Sequence, residues 1–202
     1  VGACIDLGVP LEYLTDMVNL VLPNKVSLRS EKVSRNHVTA TKFYVDLLNE
    51  DLKDQSWSQI KETINNSAIP EVVRIEVVKV FSLLAEAEAK IHGIKIDEVR
   101  FHEVGAADSI CDIVCACACF FYLKIANLYC GTIEVGQGVI KTEHGMMSIP
   151  APATLELLKN WKFSGFITKL TSGFVAKEIK EENCENFFPV RKSSISSILL
   201  IR

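Results

Sequence analysis

The sequence lacks any apolar run long enough to cross a bilayer. Its longest, Ile113 to Leu123, is 11 residues, against the ~20 that a membrane-spanning helix needs. No leader is expected at its start either, because Val1 to Leu22 carries Asp6, Glu12 and Asp16 and has no basic start followed by an uninterrupted apolar stretch. The expectation is a soluble chain with no membrane partner. Excess positive charge is missing too: 22 Lys plus Arg against 25 Asp plus Glu leave a formal charge of −3. That removes the basic surface that duplex binding requires, so no nucleic-acid partner is expected. Paired Cys-x-x-Cys units of the zinc-ribbon kind are absent. The seven cysteines are odd in number and four of them, Cys111, Cys115, Cys117 and Cys119, crowd one segment, which speaks for reduced thiols in a cytoplasmic protein rather than a disulfide framework. Gly136-Gln137-Gly138 lacks the third glycine and the strand-to-helix setting of a phosphate loop and reads as a turn. There is no internal repeat and no low-complexity tract.

What the sequence does have is 202 residues, 49% of them apolar and 23% charged. This is the composition of one globular domain, or of two small ones sharing a core. A chain of this length buries roughly 70% of the surface its unfolded form exposes and needs no staples. Residues 1 to 22 read as a helix interrupted at Gly8-Val9-Pro10 and stopped by Pro23-Asn24. Two strands, Lys25 to Val33 and Val38 to Leu47, follow around a hairpin at Ser34 to His37. Asn49 to Gln55 is the best linker in the chain, and Ser56 with Gln59 forms a capping box opening a short helix to about Asn66. After Pro70, the steps Val73, Val77, Val80, Leu84, Ala87 and Ile91 predict a long amphipathic helix ending at Gly93. Ala106 to Leu123 predicts a second helix, apolar around nearly its whole circumference and therefore buried on most sides. Beyond it, strands at Asn127 to Val135 and Val139 to Thr142 are expected to form a hairpin across Gly136 to Gly138. A short helix at Ala153 to Lys159, a strand at Phe163 to Leu170 and a helix at Gly173 to Glu182 complete the reading. The expected fold is α+β: mixed small sheets packed against a long amphipathic helix and one buried apolar helix. Its division is residues 1–55 as an N-terminal α+β subdomain and 56–202 as a core of helices and β-hairpin.

Chemistry concentrates beside the apolar helix. His102 and Glu103 precede it, and Asp108 and Asp112, four residues apart, share one helical face. A carboxylate in the first turn is favoured by the helix dipole, which accounts for Asp108. Asp112, between Cys111 and Ile113, is expected to be buried, where an unpaired carboxylate costs several kcal/mol. A metal ion, a base, backbone donors or protonation would compensate it, and a polar network fixing the helix is the alternative to a metal or catalytic role. Glu143-His144-Gly145 and Ser148 to Thr154 form a second cluster. There the prolines make a rigid loop into a helix whose free N–H groups suit an anion, with His144 as a ligand or acid/base group. Cys115 and Cys119, on the face of Asp108 and Asp112, read as core filler.

Leu83 to Gly93, Phe101-His102-Glu103-Val104-Gly105-Ala106-Ala107-Asp108-Ser109-Ile110 with Asp112, His144-Gly145, and Pro150-Ala151-Pro152-Ala153-Thr154-Leu155-Glu156-Leu157-Leu158 together resemble the LarC family, the nickel insertion proteins of nickel-pincer cofactor biosynthesis. Gly2-Ala3 with Asp6-Leu7-Gly8, and Val33-x-Arg35 to Ala40-Thr41-Lys42, extend the resemblance, which runs to about residue 182. It implies insertion of nickel into pyridinium-3,5-bisthiocarboxylic acid mononucleotide, a lyase-class reaction making carbon–nickel and sulfur–nickel bonds. The resemblance further implies that CTP is hydrolysed, with manganese or magnesium assisting. On that basis His102, Glu103, Asp108 and Asp112 are the candidate metal ligands, Glu103 and His144 the catalytic groups, and Lys42 and Thr154 the contacts to the mononucleotide cofactor precursor. Arg100 stands where the family usually has a histidine, and Ser148 where it has a proline. Leu170 to Gly173 shortens a Thr-Pro-Thr-Gly stretch, and the opening Ser-Gly-Asp-Met segment and the C-terminal CTP-binding domain are absent. The expectation is thus a partial version of a protein about twice as long, with room for a homo-oligomer and for a separate C-terminal CTP-binding chain. The rival readings are a non-catalytic metal- or nucleotide-binding or assembly module, and a metal-dependent hydrolase with Glu103 as base.

Overall fold

The computed structural model describes residues 1–35, 37–48, 55–101, 107–125, 133–136, 138–142, 145–160, 164–165 and 174–178. They fall into two units, Val1–Lys124 and Ile125–Arg202.

In the first unit the interrupted helix is a pair, α1 (Gly2–Asp6) and α2 (Leu11–Val21). Pro10 lies in extended backbone at the start of α2, which separates them. β1 (Val26–Arg35) and β2 (Val38–Leu47) form an antiparallel hairpin with Arg35 opposite Val38 and Val26 opposite Leu47. His37 takes the left-handed backbone conformation at the turn. The alternation of strand side chains sorts the hairpin into two faces. Val26, Leu28, Phe43 and Val45 face the core, while Arg29, Glu31, Lys42, Tyr44 and Asp46 share the other face.

α3 (Trp57–Asn65) opens with the expected capping box: the Gln59 N–H donates to Ser56 Oγ at 3.3 Å, and the Ser56 N–H donates to Gln59 Oε1 at 2.9 Å. α4 (Glu71–His92) starts after Pro70 and ends at Gly93, whose φ of 65° is the left-handed cap that glycine adopts without strain. Val73, Val77, Phe81, Ala85 and Ala89 make a buried stripe at steps of four. Phe81 stands between Trp57 and Phe101, with ring centroids 6.5 and 6.1 Å away. A one-turn 3-10 helix, Ile96–Glu98, leads to Val99–Phe101, which bonds the chain before α3 through Trp57 N–H to Val99 O and Phe101 N–H to Gln55 O.

α5 (Ala107–Tyr122) packs against α2, α4 and β2. Ile110, Cys111, Val114, Cys115, Ala118 and Cys119 are fully buried, so one continuous core joins α1, α2 and the hairpin to α3, α4 and α5. The helix is not sheathed all round, however. Asp108, Asp112, Phe121 and Tyr122 are exposed, and Tyr122 reaches Tyr13 of α2 at a 4.8 Å centroid distance.

The second unit departs from the sequence reading. β3 (Ile133–Gly136) and β4 (Gly138–Thr142) do not pair across Gly136 to Gly138. β4 pairs instead with β5 (Gly145–Ile149), and β3 pairs with β7 (Phe174–Glu178), to which β6 (Ser164–Gly165) adds on the other side. All these pairs are antiparallel. The stretch read as a helix from Gly173 to Glu182 therefore begins as a strand. Its Phe174-Val175-Ala176 run alternates well enough for a sheet, and a long-range partner decided the outcome. α6 (Pro152–Asn160) forms as expected behind Pro150. Both units together are α+β, with small sheets that are antiparallel throughout the described strands. Of the expected linker, Asn49 to Gln55, residues 49–54 lie outside the described residues.

Candidate functional site

Of the sequence-derived metal group, Asp108 and Asp112 are placed one turn apart at the start of α5. The Ser109 N–H donates to Asp108 Oδ1 at 2.7 Å, the first-turn role that a carboxylate plays beside free helix N–H groups. Asp112 is exposed rather than buried in the helix, which corrects the reasoning that made it need a compensating charge. The physical reason is geometric: the residues four before and ten after it, Asp108 and Tyr122, also face outward, so the apolar sequence around Asp112 covers less than the full helix. Partial desolvation still pushes the Asp112 carboxyl above its ordinary range, reinforced by Asp108. His102 and Glu103, immediately before α5, and His144 lie outside the described residues.

The two expected nucleotide contacts are apart in the chain's organisation. Lys42 belongs to the first unit, on the outer face of the hairpin, its Nζ 4.5 Å from the centre of the Tyr44 ring. Arg29 lies over the same ring at 3.7 Å and pairs with Asp46 at 2.8 Å. Thr154 is exposed on α6 of the second unit. Among the described residues, no three His, Cys, Asp or Glu side chains come together as a group able to hold a metal ion.

A constellation that sequence reasoning noticed only as matching stretches lies between α1 and the hairpin. Asp6 Oδ1 accepts from Thr41 Oγ1 at 2.6 Å and from Lys32 Nζ, and Asp6 Oδ2 accepts the Thr41 N–H at 3.1 Å. Hydrogen bonds from Lys32 and Thr41 hold the Asp6 carboxyl below its ordinary value. Above it is an open cleft of about 290 Å³ lined by Ile5, Asp6, Ser30, Glu31, Lys32 and Thr41. One turn earlier on α1, Gly2 sits directly against the Thr41 carbonyl, where a Cβ would collide with backbone. No local pattern announces contacts 35 residues apart. The only available signal was that both stretches, Gly2 to Gly8 and Ala40 to Lys42, carry the family resemblance.

A family model described as nickel insertion protein matches residues 1–185. A putative nickel insertion protein of Geobacter sulfurreducens is 42% identical over 161 residues, covering 79% of this chain and 41% of that protein. The pyridinium-3,5-bisthiocarboxylic acid mononucleotide nickel insertion protein of Clostridium kluyveri is 35% identical over 210 aligned residues, covering 98% of this chain and 53% of that protein. Its namesake in Clostridium acetobutylicum is 33% identical over 232 aligned residues, covering 96% and 55%. The chain spans about half the length of the curated relatives it matches. No solved structure matches it.

Proposed function

The chain belongs to the nickel insertion protein family, and from that premise we propose that it is one part of a protein that inserts nickel into pyridinium-3,5-bisthiocarboxylic acid mononucleotide. The observation that carries the reading is the match of two relatives bearing that substrate's name over nearly the whole chain. In this reading Asp108 and Asp112 supply two oxygen donors on one exposed face, and His102 and Glu103, in the segment leading into α5, add an imidazole and a third carboxylate. Such a mixed nitrogen and oxygen set suits a borderline divalent ion such as nickel, here the substrate being transferred. Making a carbon–nickel bond releases a proton from the carbon, and Glu103 or His144 is the group proposed to take it. Lys42 and Thr154 are assigned to the phosphate and ribose of the mononucleotide.

CTP with manganese or magnesium is assigned to a C-terminal domain, on this chain's continuation or on a separate one. The five described cysteines are free thiols, which supports a cytoplasmic setting. The test is to incubate the intact protein with the mononucleotide, nickel and CTP with magnesium, and to follow product mass. Appearance of the nickel adduct supports the reading. Its absence, with substrate and metal intact, overturns it.

A further inference from the structure

We propose, on the reading that Lys42 meets the phosphate of the mononucleotide, that Tyr44 is the positioning residue of that contact: its hydroxyl holds Glu31 and so leaves the Lys42 ammonium free for the ligand. Glu31 and Lys42 are directly opposite each other in the β1–β2 pair and share its outer face. Residues so placed have Cβ atoms about 4.5–5.5 Å apart, and opposite charges there ordinarily meet. Here each turns to another partner instead. Glu31 Oε1 accepts from the Tyr44 hydroxyl, and Glu31 Oε2 lies 4.0 Å from Arg29 Nη1. Lys42 Nζ sits 4.5 Å from the centre of the Tyr44 ring. A ring face attracts an ammonium through its quadrupole without neutralising it, and the three N–H donors remain for an anion.

The neighbouring cations of the hairpin show the contrast. Arg29 pairs with Asp46 at 2.8 Å, and Lys32 pairs with Asp6. An ammonium held in that way must give up its carboxylate before it can bind a phosphate, whereas Lys42 over the Tyr44 ring has none to give up. Tyr44 thus acts twice on Lys42. Its ring steadies the side chain, and its hydroxyl diverts the carboxylate that stands across the strand pair. Arg29 supports the arrangement, lying over the same ring at 3.7 Å and facing the second oxygen of Glu31. The side chains of Arg29 and Glu31 are about half exposed, at 51% and 49%, so solvent screens these charges and the effect on affinity is modest.

The test is calorimetric titration of the intact protein with pyridinium-3,5-bisthiocarboxylic acid mononucleotide, in wild type, Lys42→Ala, Tyr44→Phe, Glu31→Gln and the double variant of the last two. Tyr44→Phe keeps the ring and releases Glu31 toward Lys42. It is expected to raise Kd about threefold, the affinity equivalent of one exposed ion pair. In the Glu31→Gln background the same substitution is expected to leave Kd unchanged, because the competing charge is gone. A merely structural role for Tyr44 would give the same loss in both backgrounds, and that result overturns the proposal. So does a Tyr44→Phe that binds like wild type while Lys42→Ala binds more weakly. Lys42→Ala binding as tightly as wild type, or a wild type that does not bind, overturns the assignment of Lys42 itself and the role of Tyr44 with it.

Discussion

Gly2 and Asp6 stand one turn apart on α1 and fix the same strand in two ways. Gly2 allows helix backbone to lie against the Thr41 carbonyl, and Asp6 takes the Thr41 N–H and hydroxyl. Gly2→Ala is therefore expected to destabilise the first unit by roughly 1–3 kcal/mol or more, the range for inserting an atom into closed packing. Urea unfolding followed by circular dichroism measures it. Asp6→Asn should also destabilise at neutral pH, by an amount that depends on pH. The folded carboxyl is held below its unfolded value of about 3.9, so its contribution is present above that value and is lost as pH falls through the folded one. The gap in Tm between wild type and variant should shrink on acidification. Asp112 runs the other way. Its folded carboxyl is raised, so the stability linked to its proton is present at low pH and lost as pH rises through the folded value. Asp112→Asn should leave the fold as stable or slightly more stable at pH 7, by under about 1 kcal/mol given its exposure. Loss of nickel affinity in that variant then cannot be ascribed to unfolding.

Among the elements, α4 carries the first unit's core, and its Phe81 is the most sensitive point. Phe81→Ala removes a ring with no exposure between Trp57 and Phe101 and should cost about 3–5 kcal/mol. A fall in the urea midpoint without a change in slope would show that the loss is one of packing. The helices were legible because their signals are local: Pro70 and Gly93 bracket α4, Ser56 and Gln59 cap α3, and Gly8 to Pro10 splits α1 from α2. The hairpin of β1 and β2 was legible for the same reason, its turn lying within four residues. In the second unit the β3 partner is about forty residues away, and Gly136-Gln137-Gly138 imitated a hairpin that does not form. Asp112 was misplaced because residue composition gives a helix's average apolarity and not which stripe is left outside. Of the candidate site, the sequence spacing foretold that Asp108 and Asp112 share a face of α5. Asp6 with Thr41 escaped because only tertiary packing joins them.

At the scale of the molecule, a chain about half as long as its matched relatives has one continuous apolar cluster among the described residues of its first unit, from Cys4 to Cys119. α5 packs into that core with Asp108 and Asp112 exposed. Nickel is proposed to bind at these two carboxylates together with the segment preceding them. Isothermal titration with nickel tests that binding most directly, comparing wild type with His102→Ala and Asp112→Asn. Measurable nickel binding is expected of the wild type, with a loss of at least about tenfold in each variant, the least that removal of a ligand should cost when outer partners alone cost 10–100-fold. A wild type that binds no nickel, or variants that bind as tightly as it does, would contradict the assignment.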